Sequence, residues 1–122
     1  MDKKLVDLHE WLYRRGYATP LKNYMNPDGS ATSRVFKLRE KDKRHLSVNV
    51  KSLTTPVESV GDSSKYILFE LPNTKVNEFG LVTYHDELPD GSNNAHAVII
   101  GMTMEDEVSP GLLARASKRV YI

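Results

Sequence analysis

The chain contains no cysteine. That absence excludes a disulfide framework, a thiolate nucleophile and any cysteine-ligated metal. A reducing interior is the simplest home for such a chain, so a cytoplasmic protein is expected. Long apolar runs are missing too: no stretch approaches the roughly 18–20 residues that cross a bilayer. The opening "MDKKLVDLHEWLYRR" is too charged for a signal peptide, and no membrane association is expected. The 7 glycines are scattered at turns, so there is no phosphate-cradling glycine loop and no dinucleotide fingerprint. No bound cofactor is expected. A G-x-S-x-G elbow is also lacking, which argues against a Ser–His hydrolase and reads Ser47 as an ordinary strand serine.

What is present reads as one soluble globular domain spanning residues 1–122. The hydrophobic content is 39% and the charged content 27%, outside the disordered range. The net charge of +1 hides an asymmetry. Residues 1–51 carry 12 Lys/Arg against 6 Asp/Glu, and residues 52–122 carry 5 against 10. Such halves either pair internally or present a basic and an acidic face.

The first periodic stretch predicts a helix from Lys3 to Arg15. Leu5, Leu8 and Leu12 recur at helical spacing, Asp2 can cap the start and Gly16 can end it. Arg14 and Arg15 then serve the helix dipole rather than an anion. "SRVFKL" and "HLSVNV" read as strands joined by the charged loop "REKDKR". Leu46, Val48 and Val50 alternate with Ser47, Asn49 and Lys51, the period of a sheet with one wet face. Thr55, Pro56 and Glu58 spell the start of a short helix with a capping box. "KYILFEL", "FGLVTYH" and "NAHAVIIGM" read as further strands, and "PGLLARASKR" after Ser109 as a closing helix. The expectation is an α+β domain: an antiparallel or mixed sheet of about five strands with terminal helices packed on it. Its core should hold Leu8, Leu12, Phe36, Val48, Ile67, Phe69, Val82 and Ile99.

The stretch "YHDELPDGSNNAHAVIIG" concentrates the site-like residues. If its strands form a hairpin about "PDGS", one register pairs His85 with His96, their Cβ atoms about 5 Å apart. One imidazole could then act as general base, with a carboxylate orienting it. Asp86 leaves the strand on the face opposite His85, so a metal sphere would depend on flexible loop carboxylates. A pocket rim is therefore expected, and no metal. Candidate binding residues are His85, Asp86, Asn94, His96, Ser47 and Arg34. Chemistry would require them to share a concave pocket.

The stretch "RVFKLREKDKRHLSVNVK" holds seven Lys/Arg against two carboxylates. Lys37, Arg39, Lys43 and Arg44 are its candidate anion-binding residues, and binding through them would weaken steeply with salt. Phe36 is its only aromatic, so no stacking platform for single strands is visible. A charged loop that keeps a sheet edge soluble explains the same residues.

Several pieces fall into a pattern: Ser33 and Phe36, then Leu46-Ser47-Val48, His85-Asp86, and Asn94 through Ala97 with Gly101. Arg14–Arg15 stand upstream of it. The pattern resembles that of a family of small uncharacterised bacterial proteins, and the likeness spans most of the chain. The sequence departs from it at Asn94, where proline would follow Asn93, and at Glu87, where a proline often stands. The resemblance implies a bacterial domain with a common site region and carries no reaction with it. Two functions are expected from different classes. One is a binding or interaction domain that holds a protein or anionic partner through its basic half. The alternative is a small enzyme acting on a nucleotide or nucleic acid through His85, Asp86 and His96.

Overall fold

The computed structural model describes residues 4–39, 45–88 and 90–122. They form a single small α+β domain around one open antiparallel sheet. Its strands are β1 (Trp11–Tyr17), β2 (His45–Val50), β3 (Tyr66–Pro72), β4 (Val82–His85), β5 (His96–Ile100) and β6 (Lys118–Val120). Their spatial order is β4-β5-β2-β1-β3-β6, six strands rather than about five. Three short helices accompany them: α1 (Pro56–Val60), α2 (Asn73–Glu78) and α3 (Ser109–Ala116). Among the described residues no helix is long and apolar enough to cross a membrane.

The N-terminal helix expected over Lys3–Arg15 is not formed among its described residues, 4–15. Trp11–Tyr17 is instead an interior strand, paired along its whole length with β3 from Trp11↔Pro72 to Tyr17↔Tyr66. Of the three leucines at helical spacing only Leu12 is buried, while Leu5 is 58% and Leu8 48% exposed. The local pattern loses because aromatic-rich "WLYRRGY" can alternate its side chains across a sheet and satisfy its backbone on neighbouring strands. "SRVFKL" is likewise no strand: Ser33–Phe36 is a 3-10 turn. Val35 and Phe36 are adjacent and both buried. A strand would send them to opposite faces, whereas a tight helical turn can bury both on one side. Much of the loop expected between that segment and β2 lies outside the described residues.

Two other elements differ from expectation. The closing helix stops at Ala116, and Lys118–Val120 becomes the edge strand β6 on β3. Helix α2 carries no strong start signal in sequence. It is held by Asn73, whose fully buried side-chain amide donates to Val6 O at 3.2 Å and Asp7 O at 3.0 Å. The same side chain accepts from Thr83 Oγ1 at 2.6 Å. Asn73 thus ties the N-terminal segment to β4, where Leu5 bridges to Tyr84.

The two faces of the sheet are covered unequally. One packs Leu12, Val48, Phe69 and Ile99 against Phe36, Val76 and Leu113, forming the main core. Each such fully buried side chain contributes on the order of 1.5–3 kcal/mol. Leu8 does not join it, and Val82 is half-buried while its neighbour Thr83 takes the core-facing position. Among the described residues the second face carries a smaller cluster, Tyr13, Val60 and Leu68, under α1. Beside α1 that face stays open.

Candidate functional site

The site begins with a split in the sheet. The β1–β2 ladder contains only Leu12↔Val50 and Tyr13↔Asn49. Beyond it both strands continue, but β2 pairs with β5 alone, from Val48↔Ala97 to His45↔Ile100. Arg14 bridges the opening, its Nε donating to Val35 O at 2.8 Å and its Nη1 to Ser47 O at 2.7 Å. A strand carbonyl that has lost its ladder partner is thereby satisfied by a guanidinium.

The β4–β5 hairpin forms, with a register one residue away from the expected one. Its pairs are Val82↔Ile100, Thr83↔Ile99, Tyr84↔Val98 and His85↔Ala97. Because side chains alternate, the slip places His85 and His96 on opposite faces. His85 shares the face of Ala97, which belongs to the main core. Asp86 takes its place as the cross-strand neighbour of His96, its N–H donating to His96 O at 2.9 Å. The side-by-side histidine pair is therefore corrected to an Asp86–His96 pair.

His96 is tightly placed. Its Nδ1 lies 2.7 Å from Asp86 O and 3.5 Å from Asp86 Oδ2. Its Nε2 lies 3.2 Å from Ser47 Oγ, the diagonal neighbour on β2. The carbonyl of Asp86 can only accept, so in the neutral imidazole Nδ1 carries the proton and Nε2 offers its lone pair to the Ser47 hydroxyl. The His96 side chain keeps 17% of its surface exposed.

This dyad stands on the wall of a cavity of about 350 Å³ that includes Tyr13, Arg14, Arg15, Asn49 and Asn93 in its lining, a size suited to a small ligand. Asn93 Nδ2 donates to Asn49 Oδ1 at 2.9 Å, and Asn49 Nδ2 to Ser59 Oγ at 3.1 Å. Asn93 Oδ1 also accepts from Ala95 N at 3.1 Å, which shapes the approach to β5. The chain of amides and hydroxyls joins α1 to the hairpin loop. Arg15 lies with its guanidinium carbon 4.1 Å from the centre of the Tyr66 ring, and Glu58 supplies a carboxylate to the same cavity.

Of the candidates, Ser47, Asp86 and His96 come together. Asn94 is exposed, and its neighbour Asn93 holds the inward position. Arg34, Lys37 and Arg39 line a different cavity, of about 280 Å³, which shares Arg14 and Arg15 with the first. Lys43 and Arg44 lie outside the described residues. Arg14, Arg15, Tyr13 and Asn49 were missed as site residues. The alternation of Ser47 with Asn49 on the wet face of β2 carried a signal for Asn49, whereas reading Trp11–Tyr17 as a helix hid the others. Among the described residues no group of three or more His, Asp or Glu could hold a metal ion. Compared with protein-family models, curated proteins and solved structures, the chain shows no match.

Proposed function

We propose that the protein is a small hydrolase or acyl-transfer enzyme with Ser47 as nucleophile and His96 as general base. The observation that carries this reading is the orientation of His96, whose Nδ1 is engaged by Asp86 O at 2.7 Å while Nε2 faces Ser47 Oγ at 3.2 Å. Ser47 Oγ attacks a carbonyl carbon as its proton passes to Nε2, and the carbonyl electron pair moves onto oxygen. Collapse of that intermediate breaks the bond to the leaving group, which takes the proton from His96. Water then repeats the sequence and frees Ser47. Arg15 and the Asn93 amide line the same cavity and suit the developing negative charge.

No nucleophile elbow is needed here, because Ser47 reaches the cavity from an exposed strand position at the split. Ser47, Asp86 and His96 are pieces of the bacterial pattern described above. Their convergence supports a common site.

A fluorophosphonate probe tests the chemistry, since it phosphonylates activated serines. Intact mass should show one adduct, mapped to Ser47, absent from Ser47→Ala and reduced at least about 100-fold in rate in His96→Gln. An unlabelled protein, or equal labelling of Ser47→Ala, would refute the proposal and leave a binding cavity without chemistry.

A further inference from the structure

We infer that Asn49 is a catalytic residue, donating to the substrate's carbonyl oxygen as charge develops on it, with Asn93 as second donor and Ser59 as the residue that positions Asn49. The inference rests on the hydrolase reading and supplies the oxyanion-binding groups for its serine and histidine.

The hydrogen bonds around the two side-chain amides allow one orientation. The backbone N–H of Ala95 can only donate, so the Asn93 atom it meets at 3.1 Å is the oxygen. Asn93 Nδ2 then donates to Asn49 Oδ1 at 2.9 Å, and Asn49 Nδ2 to Ser59 Oγ at 3.1 Å. The Ser59 hydroxyl donates in turn to Thr54 Oγ1 at 3.1 Å, and Thr54 Oγ1 to the Thr55 carbonyl at 3.4 Å. That carbonyl can only accept, so the chain has one direction, fixed at both ends. Among the described residues these are all the hydrogen bonds of the two amides. Each oxygen is thus engaged, while each NH2 group uses one N–H and keeps the other. Both residues line the cavity beside Ser47 and His96, so what they offer a substrate is a donor.

Their placement suits a carbonyl at Ser47. Asn49 stands opposite His96 and two residues along β2 from Ser47, so the three share a face. Same-face neighbours along a strand lie about 7 Å apart. A carbonyl with its carbon about 3 Å from Ser47 Oγ and its oxygen about 3 Å from the Asn49 amide fits that gap. Ser59 is buried in α1, so the strand amide is anchored to a helix rather than to solvent. Arg15 is held differently. It is exposed and lies over the Tyr66 ring, with Nη1 3.4 Å from Val60 O. It adds charge at the rim, whereas the asparagines are oriented before a substrate arrives.

The fluorophosphonate reaction tests the inference, because its phosphoryl oxygen takes the place of the carbonyl oxygen. Ser47 Oγ bonds to phosphorus, fluoride leaves, and the hydroxyl proton passes to His96. Asn49→Asp keeps oxygens that can accept from Asn93 and Ser59 but offers no N–H. Labelling should slow on the order of 100-fold, with the melting temperature near that of the wild type. Ser59→Ala should slow labelling at least about threefold in the wild-type background and not at all in Asn49→Ala, since Ser59 acts through Asn49. If Asn49→Asp does not fold, this cycle decides alone. Labelling of Asn49→Asp at the wild-type rate, or equal slowing by Ser59→Ala in both backgrounds, would overturn the inference and leave the hydrolase reading standing. A wild type inert to the probe would remove both.

Discussion

Ser47 Oγ lies 3.2 Å from His96 Nε2 because the two residues are diagonal neighbours on adjacent strands, Asn49 being the residue directly opposite His96. Diagonal contacts on one face of a ladder are within reach of long side chains such as imidazole. The dyad is therefore held by two strands of the sheet, with loop contacts only behind the imidazole.

That geometry separates Asp86 from the aspartate of a familiar triad. The main-chain carbonyl of Asp86 makes the 2.7 Å contact to Nδ1, and the carboxylate stands off at 3.5 Å. Asp86→Asn keeps the carbonyl and hence the tautomer. Its labelling rate should fall by no more than about tenfold, against the far larger loss in His96→Gln. Parallel loss in the two variants would show that the carboxylate, not the carbonyl, sets the imidazole.

Arg14 closes the split by serving carbonyls of two separate segments, Val35 and Ser47. Arg14→Met should lose on the order of 2–3 kcal/mol in urea denaturation, since two acceptors are left without a donor. Arg14→Lys keeps the charge without the forked geometry and should recover only part of it.

The buried Asn73 amide has an equally specific role. Asn73→Ala leaves Thr83 Oγ1 and the Val6 carbonyl without their side-chain partner and removes one of two donors to the Asp7 carbonyl. A loss on the order of 3 kcal/mol is expected in thermal unfolding. Hydrogen exchange should rise first around residues 4–7 and β4.

Gly101 adopts φ 123°, and a Cβ there would approach Leu81 Cδ2 to 2.9 Å. Gly101→Ala should cost about 1–3 kcal/mol through backbone strain, more than Gly111→Ala, where nothing stands within 4 Å of an added Cβ. A melting-temperature comparison of the two variants checks the order.

Two turn carboxylates supply a pH dependence. The backbone N–H of Ser109, foremost, holds the Asp106 carboxyl below its ordinary value, and the Ser64 hydroxyl does the same for Asp62. A lowered folded-state pKa contributes stability that is present above the ordinary carboxylate value and lost as pH falls through the lowered one. NMR titration should place both midpoints below 3.8. Asp106→Asn should flatten the acid limb of the stability curve.

The sequence by itself determined β2, β3 and β5, the Thr55-capped start of α1, and a hairpin between His85 and His96. Each follows from alternation or cap chemistry confined to a few consecutive residues. Thr55 Oγ1, for example, accepts from Glu58 N at 3.2 Å, as its position promised. Only the tertiary structure decided that Trp11–Tyr17 is a strand, because its leucine spacing also suits a helix and its partners on β3 lie 49 to 61 residues away. Tertiary pairing also decided the hairpin register. Both strands are apolar on both faces, so a one-residue slip meets little penalty within the hairpin. Pairing of β5 with β2, Val48 opposite Ala97 and Asn49 opposite His96, selects which face is buried, and with it the partner of His96. The site lay in the sequence as residues; its pairing needed a third strand.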